Sequence, residues 1–339
     1  MHMSDALISP AVGVTMIAVS GAALAYSVVK TKQNNALEDK TVPVMGVMSA
    51  FVFAAQMINF TIPGTGSSGH IGGGILLAAL LGAYPGLISI AAVLLIQCLF
   101  FADGGLLALG CNLFNMGVVS CLVAYPLIFR PILRKGITKP RIMLASVLGV
   151  VAGLQIGAFS VVLETLASGI TSLPFGSFLL MMQPIHLAIG LMEGLVTGAI
   201  LIFVYQARPE LLESVQSHKK LDRSVPVRGI ILGLLAATIL VAGGLSLLAS
   251  ANPDGLEWSI GKVAGQQELT ASGPVYAIAQ WIQSKTAVMP DYSTGAASEA
   301  ASTSGAGLIG GGIVLVLAAA TAFLISRTKK KNAANSDTE

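Results

Sequence analysis

Two histidines, His2 and His70, are the residues in this sequence with the clearest potential for chemistry. The chain has four histidines among 339 residues, and in apolar surroundings an imidazole usually serves binding or proton transfer. His2 is the second residue, and His70 follows the glycine-rich loop Pro63-Gly64-Thr65-Gly66-Ser67-Ser68-Gly69. A third histidine, His218, lies in a charged segment, where we expect it to be solvated.

A histidine at position 2 has a chelating geometry that other positions lack. The Met1 amine and the His2 amide nitrogen close a five-membered ring around a metal, and the amide and imidazole nitrogens close a six-membered ring. With the His70 imidazole, the set has four nitrogens, which in square-planar form favours Cu(II) or Ni(II) over Zn(II) or Mg(II). The simpler alternative is that His2 is an ordinary, disordered terminal residue, and spacing alone does not exclude it.

Four further polar residues are candidates for supporting or gating such a site. Asp103 either tunes a metal ligand or only forms a turn with the glycines after it. Asn115 is expected by default to form a hydrogen bond with a neighbouring helix. His186 and Glu193 are seven residues apart and therefore share one helix face. One interpretation is that they act as a proton relay or as an interface lock. The other is that they form a hydrogen-bonded pair that fixes helix packing.

Motifs for enzyme chemistry are missing from the sequence. No GxxxxGK[ST] loop, HExxH helix or GxSxG turn occurs, so any ATP hydrolysis is expected in another subunit. The glycine spacing Gly64-x4-Gly69 copies a phosphate-binding loop, but His70 stands where the lysine is required. The three cysteines lie in apolar runs without CxxC spacing and are interpreted as small core residues.

Membrane-spanning helices are the elements that must position these residues. The chain is 54% hydrophobic and only 10% charged, with a mean hydropathy of +0.81, which excludes an ordinary soluble domain. We predict an all-α polytopic membrane protein with seven helices in a first module and a two-helix hairpin in a second. The third and fourth spans are short, and Tyr84-Pro85-Gly86 is predicted to form the turn between them. The apolar spans are 9–29, 42–60, 70–84, 86–101, 108–129, 142–168, 184–206, 229–249 and 307–326.

The positions of the basic residues predict the orientation of the chain. With the N-terminus outside, the cytoplasmic segments hold 17 of the 19 Lys and Arg residues, and only Lys262 and Lys285 fall elsewhere. Loops rich in Lys and Arg stay on the cytoplasmic side. No cleavable signal sequence is recognised, so we expect Met1 to be retained, with the N-terminus extracytoplasmic and the C-terminus cytoplasmic.

Charge and composition also divide the chain into segments. We predict a seven-span module over 1–206 and a charged cytoplasmic linker over 207–228. A two-span module follows over 229–331, with an extracytoplasmic segment over 250–306, and a polar cytoplasmic tail covers 332–339. Within the outside segment, the low-complexity run 293–307 is expected to be flexible.

Several motifs in this order resemble the substrate-capture membrane subunit of cobalt/nickel energy-coupling-factor (ECF) transporters, known as CbiM or NikM. The resemblance covers about residues 1–206. The segment Asn252-Pro253-Asp254-Gly255-Leu256-Glu257-Trp258 resembles the small accessory component NikN or CbiN, fused to the capture subunit. The motifs of the first module are Met1-His2-Met3-Ser4-Asp5, the run from Ala50 to Phe60, Ser68-Gly69-His70, Asp103-Gly104-Gly105, the run from Asn112 to Gly117, the run from His186 to Gly190, and Glu193-Gly194.

This resemblance implies a metal site formed by the Met1 amine, the His2 amide and imidazole nitrogens, and the His70 imidazole. It implies Ni(II) or Co(II) as the transported substrate, with no permanent cofactor. The implied partners are a CbiQ/NikQ-like transmembrane coupling subunit and two CbiO/NikO-like ATPase subunits, in the cell membrane of a bacterium or archaeon. The family's usual start is closer to Met-His-Ile-Pro-Asp-Gly, so Met3, Ser4 and Ala6 depart from it without changing the ligand atoms.

Two other functional classes stay open from the residues alone. A secondary metal transporter could be driven by protons through Glu193, without an ATPase partner. A membrane anchor or sensor could instead use the outside segment 250–306 to bind a partner.

Overall fold

The protein is built from long apolar helices, as a computed structural model describes it over residues 1–34, 41–217, 227–293 and 298–336. In those ranges six helices are long and apolar enough to cross a membrane, and two shorter apolar helices cover Val42–Gln56 and Ile231–Gly243. A helical chain of this kind satisfies its backbone hydrogen bonds internally, as a lipid environment requires. The polytopic membrane architecture is therefore confirmed, while the count of seven plus two spans stays a prediction.

The first module contains α1 to α7, the linker segment contains α8, and the second module contains α9 to α12. The helices are α1 (Pro10–Gln33), α2 (Thr41–Gln56), α3 (Gly74–Leu81), α4 (Ala83–Phe101), α5 (Leu109–Arg134), α6 (Lys139–Ser168), α7 (Phe175–Ala207), α8 (Pro209–Ser217), α9 (Val227–Gly243), α10 (Gly255–Ala264), α11 (Pro274–Thr286) and α12 (Glu299–Ser336). Within α5, the stretch Leu113–Phe129 is wound as a π-helix. Single 3-10 turns cover Asp5–Leu7, Leu245–Leu248 and Pro290–Tyr292.

The predicted turn between the third and fourth spans is in the wrong place. The break is at Gly82, whose φ of 93° favours glycine, whereas Tyr84, Pro85 and Gly86 belong to the first turns of α4. Proline is tolerated there because the first N–H groups of a helix have no intrahelical partner. At about 1.5 Å per residue, the eight residues of α3 extend only about 12 Å, which is too short to cross a bilayer.

A small β-hairpin is the exception to the all-α prediction. Strands β1 (Phe60–Ile62) and β2 (Ser67–Gly69) pair antiparallel, with Thr61 opposite Ser68. The turn between them uses Gly64 and Gly66, both at positive φ, a conformation that glycine adopts without a steric penalty. His70 is the residue directly after the second strand of the hairpin.

The second module packs along the first rather than apart from it. Helix α12 lies along α2 and also contacts α4, while α9 contacts α2 and α12. Glycine permits the close approach, since a Cβ built on Gly46 would lie only 2.9 Å from the Cβ of Ala319. Small residues at such crossings are typical of helix packing in membranes.

The expectation of flexibility for the run 293–307 is wrong for its second half. Helix α12 begins at Glu299, and the Ser304 hydroxyl donates to the carbonyl of Gly243 at 3.0 Å. Small residues let this turn approach α9 closely, because a Cβ on Gly307 would lie 3.0 Å from the Ala242 carbonyl oxygen. Residues 294–297 lie outside the described ranges, as do 337–339 of the tail and 218–226 of the linker, including His218.

Candidate metal site

The chain start is folded into the protein instead of lying loose in solvent. Met3 is fully buried, and its N–H donates to Asn112 Oδ1 at 2.7 Å. Its carbonyl accepts from Asn112 Nδ2 at 3.1 Å and from the Gly105 N–H at 2.9 Å. The expectation that His2 could be a disordered terminal residue therefore does not hold. We call this part of the bundle, with Met1, His2, His70 and Asp254, the chain-start end.

The terminal amine of Met1 meets a carboxylate and an imidazole at the chain-start end. Its nitrogen lies 2.5 Å from Asp254 Oδ2 and 3.3 Å from His70 Nε2. The Met1 side chain is 4% exposed and that of Asp254 is 16% exposed. Such a shielded ion pair is stronger than the same pair in water.

His70 directs its unprotonated ring nitrogen, Nε2, at the Met1 amine. Its Nδ1 lies 3.3 Å from the Ile71 carbonyl oxygen, which can only accept, so the proton sits on Nδ1 and the lone pair on Nε2. Burial, followed by the Met1 ammonium, lowers the pKa of His70 to about 3. The imidazole is therefore neutral at physiological pH and suited to bind a metal ion.

His2 stacks on His70, with ring centroids 5.4 Å apart and planes at 16°. Its Nδ1 lies 3.3 Å from Asp103 Oδ1 and its Nε2 lies 3.2 Å from Gln97 Oε1. Burial lowers the pKa of His2, against the opposing effect of Asp103. Since a neutral imidazole carries one N–H, only one of these two contacts is a hydrogen bond.

Side chains alone do not make a metal site at the chain-start end. No group of three or more His, Cys, Asp or Glu side chains among the described residues is arranged to hold a metal ion. A site at the chain-start end therefore has to use the terminal amine or backbone nitrogens. The His2 amide nitrogen takes part in none of the described hydrogen bonds and is available for this role.

Asp254 reaches the amine from the second module. It caps α10, and its Oδ1 accepts from the N–H groups of Leu256 at 2.8 Å and Glu257 at 2.9 Å. This leaves Oδ2 to the amine. Burial alone would raise the pKa of Asp254, but the Met1 ammonium outweighs burial and holds that pKa below its usual range.

Contacts between the two modules fix Asp254 in this position. The Ser68 N–H donates to the Pro253 carbonyl at 2.8 Å, and Trp258 Nε1 donates to the Thr65 carbonyl at 2.9 Å. Both bonds join the second module to the hairpin that carries His70. Sequence reasoning assigned Asp254 no role at the site, although it lies in the accessory-like motif, which was the available signal.

Asp103 and Asn115 lie close to the chain start, as their candidacy requires. Asp103 contacts His2, and its Oδ2 accepts from the Tyr292 hydroxyl at 2.6 Å. Asn115 Nδ2 donates to Glu164 Oε2 at 2.8 Å and lies 3.7 Å from Met3 Sδ. Glu164 itself was missed, although a carboxylate inside an apolar span is a signal in its own right.

His186 and Glu193 are buried deeper along α7 and do not bond to each other in the described structure. His186 Nδ1 donates to the Met182 carbonyl at 2.8 Å. Glu193 Oε1 accepts from the Gly73 N–H at 3.1 Å. Each side chain is therefore held by a backbone group. Gln97, which sequence reasoning also missed, continues the polar network because its Nε2 donates to Gln56 Oε1 at 2.8 Å.

Comparisons with known proteins agree with this architecture. Residues 2–211 match the family model CbiM, the cobalt uptake substrate-specific transmembrane region, and residues 228–327 match the PDGLE domain. The chain is 33% identical over 326 residues to the putative fused nickel transport protein NikMN of Archaeoglobus fulgidus, covering 94% of this chain and 96% of the relative. It is 29% identical over 259 residues to the cobalt transport protein CbiM of Geobacter sulfurreducens, covering 72% of each.

A solved structure gives the same result for the fold. The crystal structure of a truncated transition metal transporter matches with a TM-score of 0.53 and 29% identity, covering 61% of this chain and 99% of that chain. The relatives are transport proteins, and the chain is a transporter subunit rather than an enzyme. The chain belongs to the CbiM family of cobalt uptake transmembrane proteins and carries a PDGLE domain, of the NikN/CbiN type, in the same polypeptide.

Proposed function

We propose that this chain is the membrane substrate-binding component of an ECF-type importer that captures Ni(II), or alternatively Co(II), at the chain-start end. The observation that carries the proposal is the meeting of the Met1 amine with His70 Nε2 at 3.3 Å, with His2 stacked on His70. Its four donors are the amine, the His2 amide and imidazole nitrogens, and the His70 imidazole. Nitrogen ligands of this kind suit both ions.

Metal binding at these donors requires two contacts to be exchanged. Asp254 has to share or release the amine, because the amine must lose a proton before it can bind a metal. The His2 ring has to turn, because its chelating nitrogen, Nδ1, lies 3.3 Å from Asp103 Oδ1. We therefore propose that metal capture exchanges both contacts, and that Asp103 supports His2 once the metal is bound.

The orientation and partners complete the proposal. With the N-terminus extracytoplasmic, the chain-start end faces the metal supply, and the cytoplasmic linker and tail lie on the side of the ATPases. Because the chain has no nucleotide-binding motif, its energy comes from two CbiO/NikO-like ATPases through a CbiQ/NikQ-like coupling subunit. The capture module is 1–206, the linker 207–228, the accessory module 229–331 and the tail 332–339.

Replacement of His2 tests the site. His2→Gln removes the imidazole that closes the six-membered ring of the chelate, so tight nickel binding to the purified chain should fall by at least about 100-fold. The matched control, His218→Gln, replaces the histidine of the charged linker and should bind like the parent chain. Unchanged binding in the first variant would contradict the site, and competition among Ni(II), Co(II) and Cu(II) would rank the ions.

A proton-driven secondary transporter is the second candidate. The observation in its favour is that Glu193 is 3% exposed and one of its oxygens has no described hydrogen-bond partner. Uptake by this chain alone, driven by a pH gradient and abolished by Glu193→Gln, would support it. Uptake that depends on the ATPases would reject it.

A further inference from the structure

A small cavity lies next to the chain start and extends along α7. Its wall includes Met1, His70, His186 and Glu193, so it links the proposed capture site to the buried carboxylate. Its volume is about 30 Å³, which is enough for one or two waters or a single metal ion.

Two buried oxygens on this wall lack hydrogen-bond partners among the described residues: Glu193 Oε2 and Asn115 Oδ1. Their side chains are 3% and 1% exposed, respectively. Asn115 cannot turn its amide to correct this, because Nδ2 is used by Glu164 Oε2 at 2.8 Å. Leaving acceptors buried and unpaired is unfavourable, and more so for a charged group.

His186 adds a third acceptor to the same wall. Its Nδ1 donates to the Met182 carbonyl at 2.8 Å, so Nε2 is the bare nitrogen of the neutral ring. That nitrogen faces the second module, since a Cβ built on Gly255 would lie 3.2 Å from it. Of the other polar side chains on the wall, only the Ser120 hydroxyl can donate or accept as needed.

A cavity with these unpaired acceptors on its wall suits a cation, whereas an anion there would be repelled. A carboxylate within a membrane-spanning helix is a functional candidate by default, because placing it there without a partner is costly. Glu193 Oε1 is anchored by the Gly73 N–H at 3.1 Å, which leaves Oε2 free to bind. A divalent ion there would compensate the charge that no described side chain neutralises.

We propose that this cavity is a second, inner metal site, in which Glu193 Oε2 holds the transported divalent ion after it leaves the nitrogens at the chain start. His186 and Glu193 are seven residues apart on α7, which separates their backbone positions by about 10 Å along the helix axis. Carboxylate and amide oxygens bind Ni(II) more weakly than the nitrogen chelate. Weak binding suits an intermediate site, because an ion in transit must also leave.

This proposal rests on the proposed capture of nickel, and the experiment separates the two. Equilibrium nickel binding is measured on the purified full chain in three forms, all of which carry His2→Gln and His70→Ala to remove both imidazoles of the capture site. The first has no other change, the second adds Glu193→Gln, and the third adds Glu164→Gln. In the third form the new amide oxygen can still accept from Asn115 Nδ2, and Glu164 does not line the cavity, so this form is the matched control.

We expect the first and third forms to bind one nickel ion weakly, and the second form to lose that binding by at least about 10-fold. Circular dichroism and thermal unfolding of Glu193→Gln in the otherwise unchanged chain check that this variant folds. No residual ion in the first form, or equal binding in the first and second, would overturn the inner site. Tight binding in the first form would instead overturn the capture site.

Discussion

At the scale of single residues, the site depends on which protons its nitrogens carry. His70 is held neutral, with its lone pair directed at the Met1 amine, while Asp254 Oδ2 lies 2.5 Å from the same amine. Metal ions compete with protons for such nitrogens. The protons released on binding should therefore come from the amine and the His2 amide, and nickel affinity should rise with pH.

Replacement of His70 tests this division of protons. Because the pKa of His70 is lowered to about 3, its imidazole has no proton to release above about pH 5. His70→Ala should therefore weaken nickel binding by about 10-fold or more without changing the number of protons released per metal. Titration calorimetry in buffers of different ionisation enthalpy measures both quantities. A smaller proton release in the variant would show that His70 is charged in the empty site.

The amine of Met1 gives a chemical readout of its pairing with Asp254. Asp254→Asn keeps the shape of the cap on α10 but removes the carboxylate that pairs with the terminal nitrogen, and a charge-assisted hydrogen bond contributes about 1.5–3 kcal/mol. The chain start should then leave its buried position more often, so acylation of the amine by a water-soluble ester should become about 10-fold faster, as quantified by mass spectrometry of the N-terminal peptide. The control Glu257→Gln changes a neighbouring carboxylate that does not contact the amine. An unaltered rate in Asp254→Asn would argue against the ion pair.

The sequence could predict much of the candidate site because unusual residues stand out in an apolar chain. His2, His70, Asp103 and Asn115 are all found near the chain start. The position of Asp254 could not be predicted. Its contact with Met1 joins two residues that are 253 positions apart and belong to different modules, and no local pattern encodes such a pairing. The orientation of His2 Nδ1 towards Asp103 likewise depends on tertiary packing.

At the scale of elements, the hairpin β1–β2 and helix α10 act together as one unit. The hairpin carries His70, α10 presents Asp254, and the Ser68 N–H bond to the Pro253 carbonyl joins the two. Helix α10 can approach α7 this closely only because Gly255 has no side chain. A Cβ there would lie 2.7 Å from Ile189 Cδ1 and 3.0 Å from His186 Cε1.

Gly255→Ala should therefore push α10 away from α7. The Ser68 amide would lose its partner, so its hydrogen exchange should accelerate by about 10-fold, since exchange reports local opening. The matched control is Gly233→Ala in α9, where a new Cβ would meet nothing within 4 Å. Exchange at Ser68 that stays slow in Gly255→Ala would mean that the two elements are not coupled.

Helix positions were predicted more reliably than helix ends. Long apolar runs predict spans because the bilayer imposes their length, and α1, α4, α6 and α12 lie where such runs occur. From the sequence, the break was assigned to Pro85, because a proline in the interior of a helix usually ends that helix. The break is instead at Gly82, because proline is tolerated in the first turn of a helix. The early start of α12 depends on packing against α9, which composition does not reveal.

At the scale of the whole molecule, the orientation in the membrane determines which side supplies the metal. The cysteines Cys98, Cys111 and Cys121 are buried and free, so a new cysteine can be labelled against a low background. Ser217 at the end of α8 and Thr270 between α10 and α11 are both exposed.

An impermeant maleimide should label Thr270→Cys in intact cells, and Ser217→Cys only after the membrane is opened, because basic loops stay cytoplasmic. Labelling is read from a mass shift of the purified chain. The reverse labelling pattern would mean that the topology is inverted and that the chain-start end lies on the cytoplasmic side.

The buried chain start also restricts how the protein can be made. The Met1 nitrogen lies 2.5 Å from Asp254 Oδ2, so a formyl, acetyl or peptide group on it would have to occupy space that the second module fills. An affinity tag should therefore be attached at the other end of the chain.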